Sequence, residues 1–253
     1  MKQLSPYIVS LTPNSEAQYI LYCFSYAGGS GQNFYSWKEQ LPKCIELRVI
    51  MLPGRGKRFL ETPIESIHTM ADEIVAAIQQ CSNTKILFYG HSMGAALAYE
   101  CALRLERIHT PIEHLFVGGF RAPHLPCTRT KINDLPQENF LFELSKYGAT
   151  PQDVLSDKGL IEMLLPMLRA DFKAIETYRA VTQSISSPIT AFYGINDHCI
   201  LPDQVKGWTT CTYSYFNSIA INAAHLFHES HANEIISTIT NAIISQDCDA
   251  LTA

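Results

Sequence analysis

The sequence predicts an α/β fold in which a mostly parallel sheet is covered by helices. Two features of the order carry this. Short apolar runs of strand length alternate with segments of helical apolar spacing, and one run, KILFY, passes through GHSMG directly into an alanine-rich helix former. The third observation is compositional. A chain of 253 residues that is 47% hydrophobic and 17% charged has material for a sizeable core and lacks the signature of disorder.

In chain order, YILYCF (Tyr19–Phe24) predicts a strand that ends in the turn-rich SYAGGSGQNF. Leu47–Leu52 predicts a second strand, stopped by PGRG, and Ile64–Ala77 has helical spacing. Lys85–Tyr89 is the next strand, followed by the helix MGAALAYECALRLER. Ile112–Phe116 returns to the sheet. Beyond it RAPHLPCTRT is polar and turn-rich, and several helices follow through Tyr178. PITAFY (Pro188–Tyr193) and CTYSYF (Cys211–Phe216) predict further strands, and EIISTITNAII a terminal helix. The economical division is a core of residues 1–120 and 181–253 interrupted by a helical lid, 121–180. The competing arrangement makes those helices part of the outer layer.

The amino terminus has no long apolar segment and no apolar run reaches membrane-spanning length, which predicts a cytoplasmic protein without membrane insertion. A net charge of −5 offers no basic footprint for nucleic acid. Eight cysteines without paired spacing predict reduced thiols rather than a disulfide framework.

GHSMG fits the G-x-S-x-G elbow, in which a strand-to-helix turn projects a serine, here Ser92. A serine in a tight turn is the plainer alternative. Nucleophilic use demands a base, since a hydroxyl is weak without one. His91 is adjacent in the chain but not in the usual base geometry, and reads as a packing or hydrogen-bonding residue. Asp197, in YGIND just past a predicted strand, is placed to orient a histidine. Its rival Asp203, in LPD, suits a helix cap. INAAHLFHESHANEI offers three histidines. His225 is the preferred base because it lies in a loop before the terminal helix; His228 is the chief alternative, and His231 is also available. No carboxylate or cysteine arrangement around them completes a zinc motif, so no metal is expected. The resulting order, Ser92, Asp197, His225, is that of hydrolases built on this elbow. Ala27 in YAGG and Met93 after the serine offer backbone N–H groups for an oxyanion hole. AGGSG lacks the lysine of a phosphate-binding loop.

Taken together, CFSYAGGSGQNFYSW, VIMLPGRGKRF, FYGHSMGAALAYE, RAPH, LLPMLRADFKAIETY, YGIND and AAHLF resemble, nearly end to end, the type II (editing) thioesterases of nonribosomal peptide and polyketide synthesis. That resemblance implies an α/β-hydrolase fold with a mobile helical lid. It also implies a Ser92–His225–Asp197 triad, oxyanion donors at Ala27 and Met93, and no cofactor. The implied substrate is an acyl group on the phosphopantetheine arm of an acyl or peptidyl carrier protein, handled by a monomer. Two departures stand out. Ser25 replaces the proline common in this family, and Ala223–Leu226 replaces Gly-Gly-His-Phe, which bears on substrate and rate. Competing functions are a small-molecule carboxylesterase, a medium-chain fatty acyl thioesterase, and a non-catalytic carrier-binding protein. Arg55 and Lys57 in PGRGKR are candidates for meeting a phosphate or an acidic carrier surface; a solvated loop is the alternative. LIEMLLPMLRADF lines an acyl channel or forms a helical core stripe.

Overall fold

The computed structural model describes residues 1–80, 84–148, 150, 152–180 and 183–252. One eight-stranded sheet runs through it in the order β1-β2-β4-β3-β5-β6-β7-β8. Strands β3 (Tyr19–Phe24), β4 (Ile45–Ile50), β5 (Lys85–His91), β6 (His114–Gly118), β7 (Ile189–Gly194) and β8 (Phe216–Ile221) are parallel. An antiparallel hairpin of β1 (Lys2–Ser5) and β2 (Ile8–Ser10) extends the sheet along β4. The strands of this hairpin, four and three residues long, are too short to show a period in the sequence.

Strands β3 to β7 are buried on both faces, which explains their near-continuous apolar runs. Along β3, Ile20, Tyr22 and Phe24 face the core under helices α1 (Ile67–Gln79) and α2 (Met93–Arg107), while Tyr19, Leu21 and Cys23 face the other core with α7 (Ala232–Thr252). A third, smaller core holds Ile132, Phe140, Leu144, Met167, Leu168 and Phe172, contributed by α3 (Gln137–Ser145), α5 (Lys158–Thr177) and the loop before them. Between α3 and α5 lies the short α4 (Gln152–Ser156). Within 121–180, Ala149 and Pro151 lie outside the described residues.

Two strand boundaries depart from expectation for local reasons. β4 ends at Ile50, before Leu52, because the residue preceding Pro53 leaves the ladder for the PGRG loop. CTYSYF is not the last strand. Trp208 Nε1 donates to Phe120 O at 2.9 Å and anchors a 3-10 turn over Gly207–Cys211, so pairing with β7 starts only at Phe216. Tyr213 and Tyr215 are consequently exposed. The short helix α6 (Pro202–Lys206) begins with LPD, as read. Cys23, Cys44, Cys101, Cys127, Cys199 and Cys211 are free; Cys81 and the Cys248 side chain lie outside the described residues.

The elbow depends on a close backbone crossing. A Cβ on Gly94 would stand 2.6 Å from both the Phe24 carbonyl carbon and Ser25 O, where helix α2 starts against the end of β3. Neither partner is a movable side chain. Gly94→Ala is therefore expected to lower stability in urea by at least about 3 kcal/mol. Gly159→Ala, in helix α5 with only Asp157 Oδ1 at 3.4 Å, is expected to be neutral or stabilising by up to about 1 kcal/mol. Equal stability of the two variants would contradict this account of the crossing.

Candidate active site

Ser92 sits between β5 and α2 with φ 53° and ψ −118°, a conformation uncommon for any residue but glycine. Its own N–H donates to Gly118 O on the adjacent strand at 2.8 Å, which holds the turn in place. A serine at a helix start ordinarily caps the first turn. Here the hydroxyl makes no cap bond and instead stands 3.1 Å from His225 Nε2.

His225 follows β8 on the loop before α7, and its Nδ1 lies 2.8 Å from Asp197 Oδ2, on the loop after β7. A carboxylate accepts, so Nδ1 carries the proton and Nε2 is free to accept from the serine hydroxyl. Burial raises the Asp197 carboxyl, but His225 and the backbone amides of Cys199 and Ile200 outweigh it and hold the group below the usual carboxylate range. Asp197 Oδ1 accepts from Cys199 N at 2.6 Å, which fixes the second oxygen.

The rival residues are placed elsewhere. Asp203 pairs with Lys206 at 2.9 Å on the exposed surface of α6. His231 meets the neighbouring Ser230 hydroxyl. His228 is buried among rings, 4.5 Å from His91 and 5.6 Å from Phe34 between centroids, and neither of its nitrogens has a hydrogen-bond partner.

His91 has a role that its sequence context left open. Its Nε2 donates to the His225 backbone carbonyl at 2.8 Å, and its Nδ1 accepts from the Tyr89 hydroxyl at 3.1 Å. Burial lowers its pKa, with His228 and His225 adding to the effect, so the ring is neutral and the two bonds define one tautomer. The aromatic residue that the family pattern places after the histidine is replaced by Leu226, but the next residue, Phe227, packs 4.7 Å from the His91 ring. The partner of His91 is a main-chain carbonyl, which leaves no mark in the sequence.

The loop Tyr26–Gly29 faces Ser92 from the end of β3. Ala27 borders a small recess with Ser92, Tyr147, Phe172, His225 and Leu226. The N–H groups of Ala27 and Met93 donate to nothing in the described turns and loops. Ser25 uses the hydroxyl that proline would lack, donating to Asn33 Oδ1 at 3.0 Å. Next to Ser92 opens a pocket of about 580 Å³, its mouth included, with Phe120, Tyr147, Phe172, Ile175 and Ile200 as apolar wall. Phe172 ends the stretch read as channel or core and serves both uses, and Ile175 lies one turn further along α5.

The expectation for Arg55 is corrected. Rather than facing a partner, it is buried and forms a two-pronged ion pair with Asp171 on α5, at 2.7 and 2.9 Å. Lys57, two residues on, is exposed. Leucine, proline and glycine around Arg55 were the available sign that this cation turns inward; its partner, 116 residues away, was not legible.

Asp197, Cys199 and His225 bring potential metal-ligating atoms within 4.8 Å of one another, the one such group among the described residues. The Asp197 and His225 donors in it are committed to each other. No described helix is long and apolar enough to cross a membrane.

Comparison with known proteins agrees with this architecture. The family model for the thioesterase domain matches residues 19–243. The chain is 35% identical over 239 residues to the gramicidin S biosynthesis protein GrsT of Aneurinibacillus migulanus, covering 93% of each chain. It is 32% identical to the thioesterase PikA5 of Streptomyces venezuelae, covering 92% of this chain and 83% of the relative. The solved structure of BorB, a type II thioesterase from the borrelidin biosynthetic cluster, superposes with a TM-score of 0.88 at 28% identity, covering 96% of this chain and 99% of that one. With its fold, its elbow and its sequence all of one kind, the chain belongs to the thioesterase family, as a type II thioesterase of the α/β-hydrolase superfamily.

Proposed function

We propose that Ser92 is the nucleophile, His225 the general base and Asp197 the orienting carboxylate of a hydrolase that clears acyl groups from the phosphopantetheine arm of carrier proteins. Ala27 and Met93 are its oxyanion donors. The observation that carries the reading is the unbroken hydrogen-bonded chain from Ser92 Oγ through the His225 ring to Asp197, at the mouth of an apolar-walled pocket.

In the first half-reaction Ser92 Oγ attacks the thioester carbonyl carbon while His225 Nε2 takes the hydroxyl proton. The carbonyl oxygen becomes an oxyanion facing the two backbone donors, beside the amino-terminal end of α2. Collapse breaks the C–S bond, and His225 returns the proton to the departing thiolate. Water then enters, loses a proton to His225 and attacks the acyl-enzyme. The second collapse releases the carboxylic acid and restores the Ser92 hydroxyl. Asp197 holds the imidazole in the tautomer both halves need and stabilises it when charged.

Residues 121–180 form the lid in this reading, a helical insertion over the pocket with its own small core. Relatives named for gramicidin S biosynthesis and for the borrelidin cluster place the protein beside an assembly line that makes peptides or polyketides. There it works as a cytoplasmic monomer on a protein partner. Of the three cations in PGRGKR, Arg55 is paired with Asp171 and Arg58 with Glu61, which leaves the exposed Lys57 to meet that partner.

If the carrier contributes contacts, kcat/KM for an acyl chain on a carrier protein should exceed that for the same acyl group on free pantetheine by about tenfold or more. An oxygen ester of the same acid should be slower still. Steady-state kinetics on the three matched substrates, with intact-mass detection of the acyl-enzyme, make the comparison. Equal efficiency on carrier and free pantetheine would remove carrier recognition; a faster oxygen ester would identify a carboxylesterase; carrier binding without turnover would identify a binding protein.

A further inference from the structure

The loop that carries Ala27 is braced from the lid helix. Asp171, wholly buried on α5, accepts the Gly28 N–H through Oδ2 at 2.7 Å. The same oxygen receives Arg55 Nη1 at 2.9 Å, and Oδ1 receives Nη2 at 2.7 Å. Arg55 Nη1 also donates to Gly29 O at 2.9 Å. One ion pair therefore holds both a donor and an acceptor of the Gly28–Gly29 backbone. The turn is closed by Gly29 N donating to Tyr26 O at 2.9 Å. Tyr26 C=O and Ala27 N–H belong to a single planar peptide and point in opposite directions. Fixing the carbonyl on Gly29 thus turns the Ala27 N–H away from the turn, and Ala27 itself borders the recess that Ser92 lines.

The loop has little other means of holding this shape. Gly28 has φ +81°, accessible to glycine without strain but not enforced by it. Asn33 ties the outer side through Ser25, Tyr26 and Ser30, leaving the Gly28–Gly29 segment to Asp171 and Arg55. A charge-assisted acceptor is also stronger than a neutral one, and its two oxygens match the arginine fork.

We propose that Asp171, locked by Arg55, is a positioning residue for the oxyanion hole, so that the lid helix α5 and the catalytic donor Ala27 are set by one buried ion pair. This rests on the reading of Ala27 as an oxyanion donor. Displacing α5 at Asp171 would unlatch the donor loop, so lid motion compatible with turnover is confined to segments before that point.

The test compares wild type, Asp171→Asn, and the double variant Arg55→Met/Asp171→Leu. The double variant removes both charges together and spares the fold the cost of an orphaned ion; thermal unfolding checks this. The probe is an acyl trifluoromethyl ketone analogue of pantetheine. Ser92 adds to its carbonyl carbon, His225 takes the serine proton, and the ketone oxygen becomes an oxyanion aimed at Ala27 and Met93. Expected for the double variant is a fall in kcat of about ten- to a hundredfold at little-changed KM, with a parallel fall in probe affinity. Asp171→Asn keeps an acceptor for Gly28 and should lie between. A merely structural brace would move the melting temperature without tying probe affinity to kcat. Folded variants with wild-type kcat and probe affinity, or a loss confined to KM, overturn the proposal. Should the double variant not fold, undiminished kcat and affinity in Asp171→Asn overturn it. If wild type forms no adduct on Ser92, the active-site reading falls first and takes this one with it.

Discussion

Ser92→Ala and His225→Ala are each expected to lower kcat for acyl-thioester hydrolysis by at least about 10⁴-fold while leaving the fold intact. The two losses should not add, because each removes the same proton-coupled attack. Ser92 Oγ makes no cap bond to α2, so its removal costs the helix nothing it uses. Intact-mass spectra should show an acyl adduct on wild type and none on Ser92→Ala. Asp197→Asn should fall by about 10³- to 10⁴-fold, since an amide that donates to His225 Nδ1 turns the ring to the wrong tautomer. Asp203→Ala and His231→Ala, whose side chains pair with Lys206 and Ser230, should stay within about twofold. A folded His225→Ala protein with near-normal turnover would remove the base assignment, and an adduct surviving Ser92→Ala would place the nucleophile elsewhere.

What the sequence disclosed about this site follows the range of the interactions. The elbow is local: strand, glycine, serine, glycine and helix lie within about twenty residues, and each step has its own steric reason. Asp197 and His225 were legible because parallel strands put the loops after β7 and β8 at the same sheet end as the elbow after β5. The parallel core strands were legible as well, since burial on both faces gives continuous apolar runs. The edges were not. The β1–β2 hairpin is too short for a period, and β8 has mixed exposure that hid its start behind the more strand-like CTYSYF. Long-range polar pairs were the other loss. Arg55 in a glycine-rich loop reads as a surface cation until Asp171 arrives from the lid, and His91 reads as a packing or hydrogen-bonding residue whose main-chain acceptor, the His225 carbonyl, is not legible.

Between pH 8 and pH 5 the folded protein is expected to lose about 4 kcal/mol of stability through two buried histidines alone. Burial pushes His228 down to about 3, with His225 contributing, and burial alone pushes His114 down to about 4. Both are thus neutral in the native state at pH 5, whereas in the unfolded chain each takes up a proton as pH falls below about 6.5. The unfolded state therefore binds more protons across this window, and stability falls with pH, by about 2 kcal/mol per histidine at pH 5. His91, lowered for the same reason, and Asp197, held below the usual carboxylate range, act in the same direction, the latter at more acid pH. Against a total of about 5–15 kcal/mol for a typical domain, the loss is large enough to see as acid unfolding. Denaturant titrations at pH 8, 6.5 and 5 measure it. His228 is the informative position, because neither ring nitrogen makes a hydrogen bond, its packed neighbours are mostly rings, and its one charged neighbour, Glu229, stands 3.7 Å from Nε2. His228→Phe should be neutral or stabilising at pH 8 and should remove about half of the loss at pH 5. Stability that stays flat to pH 5, or a slope that His228→Phe leaves unchanged, would mean that these histidines gain protons without unfolding the chain.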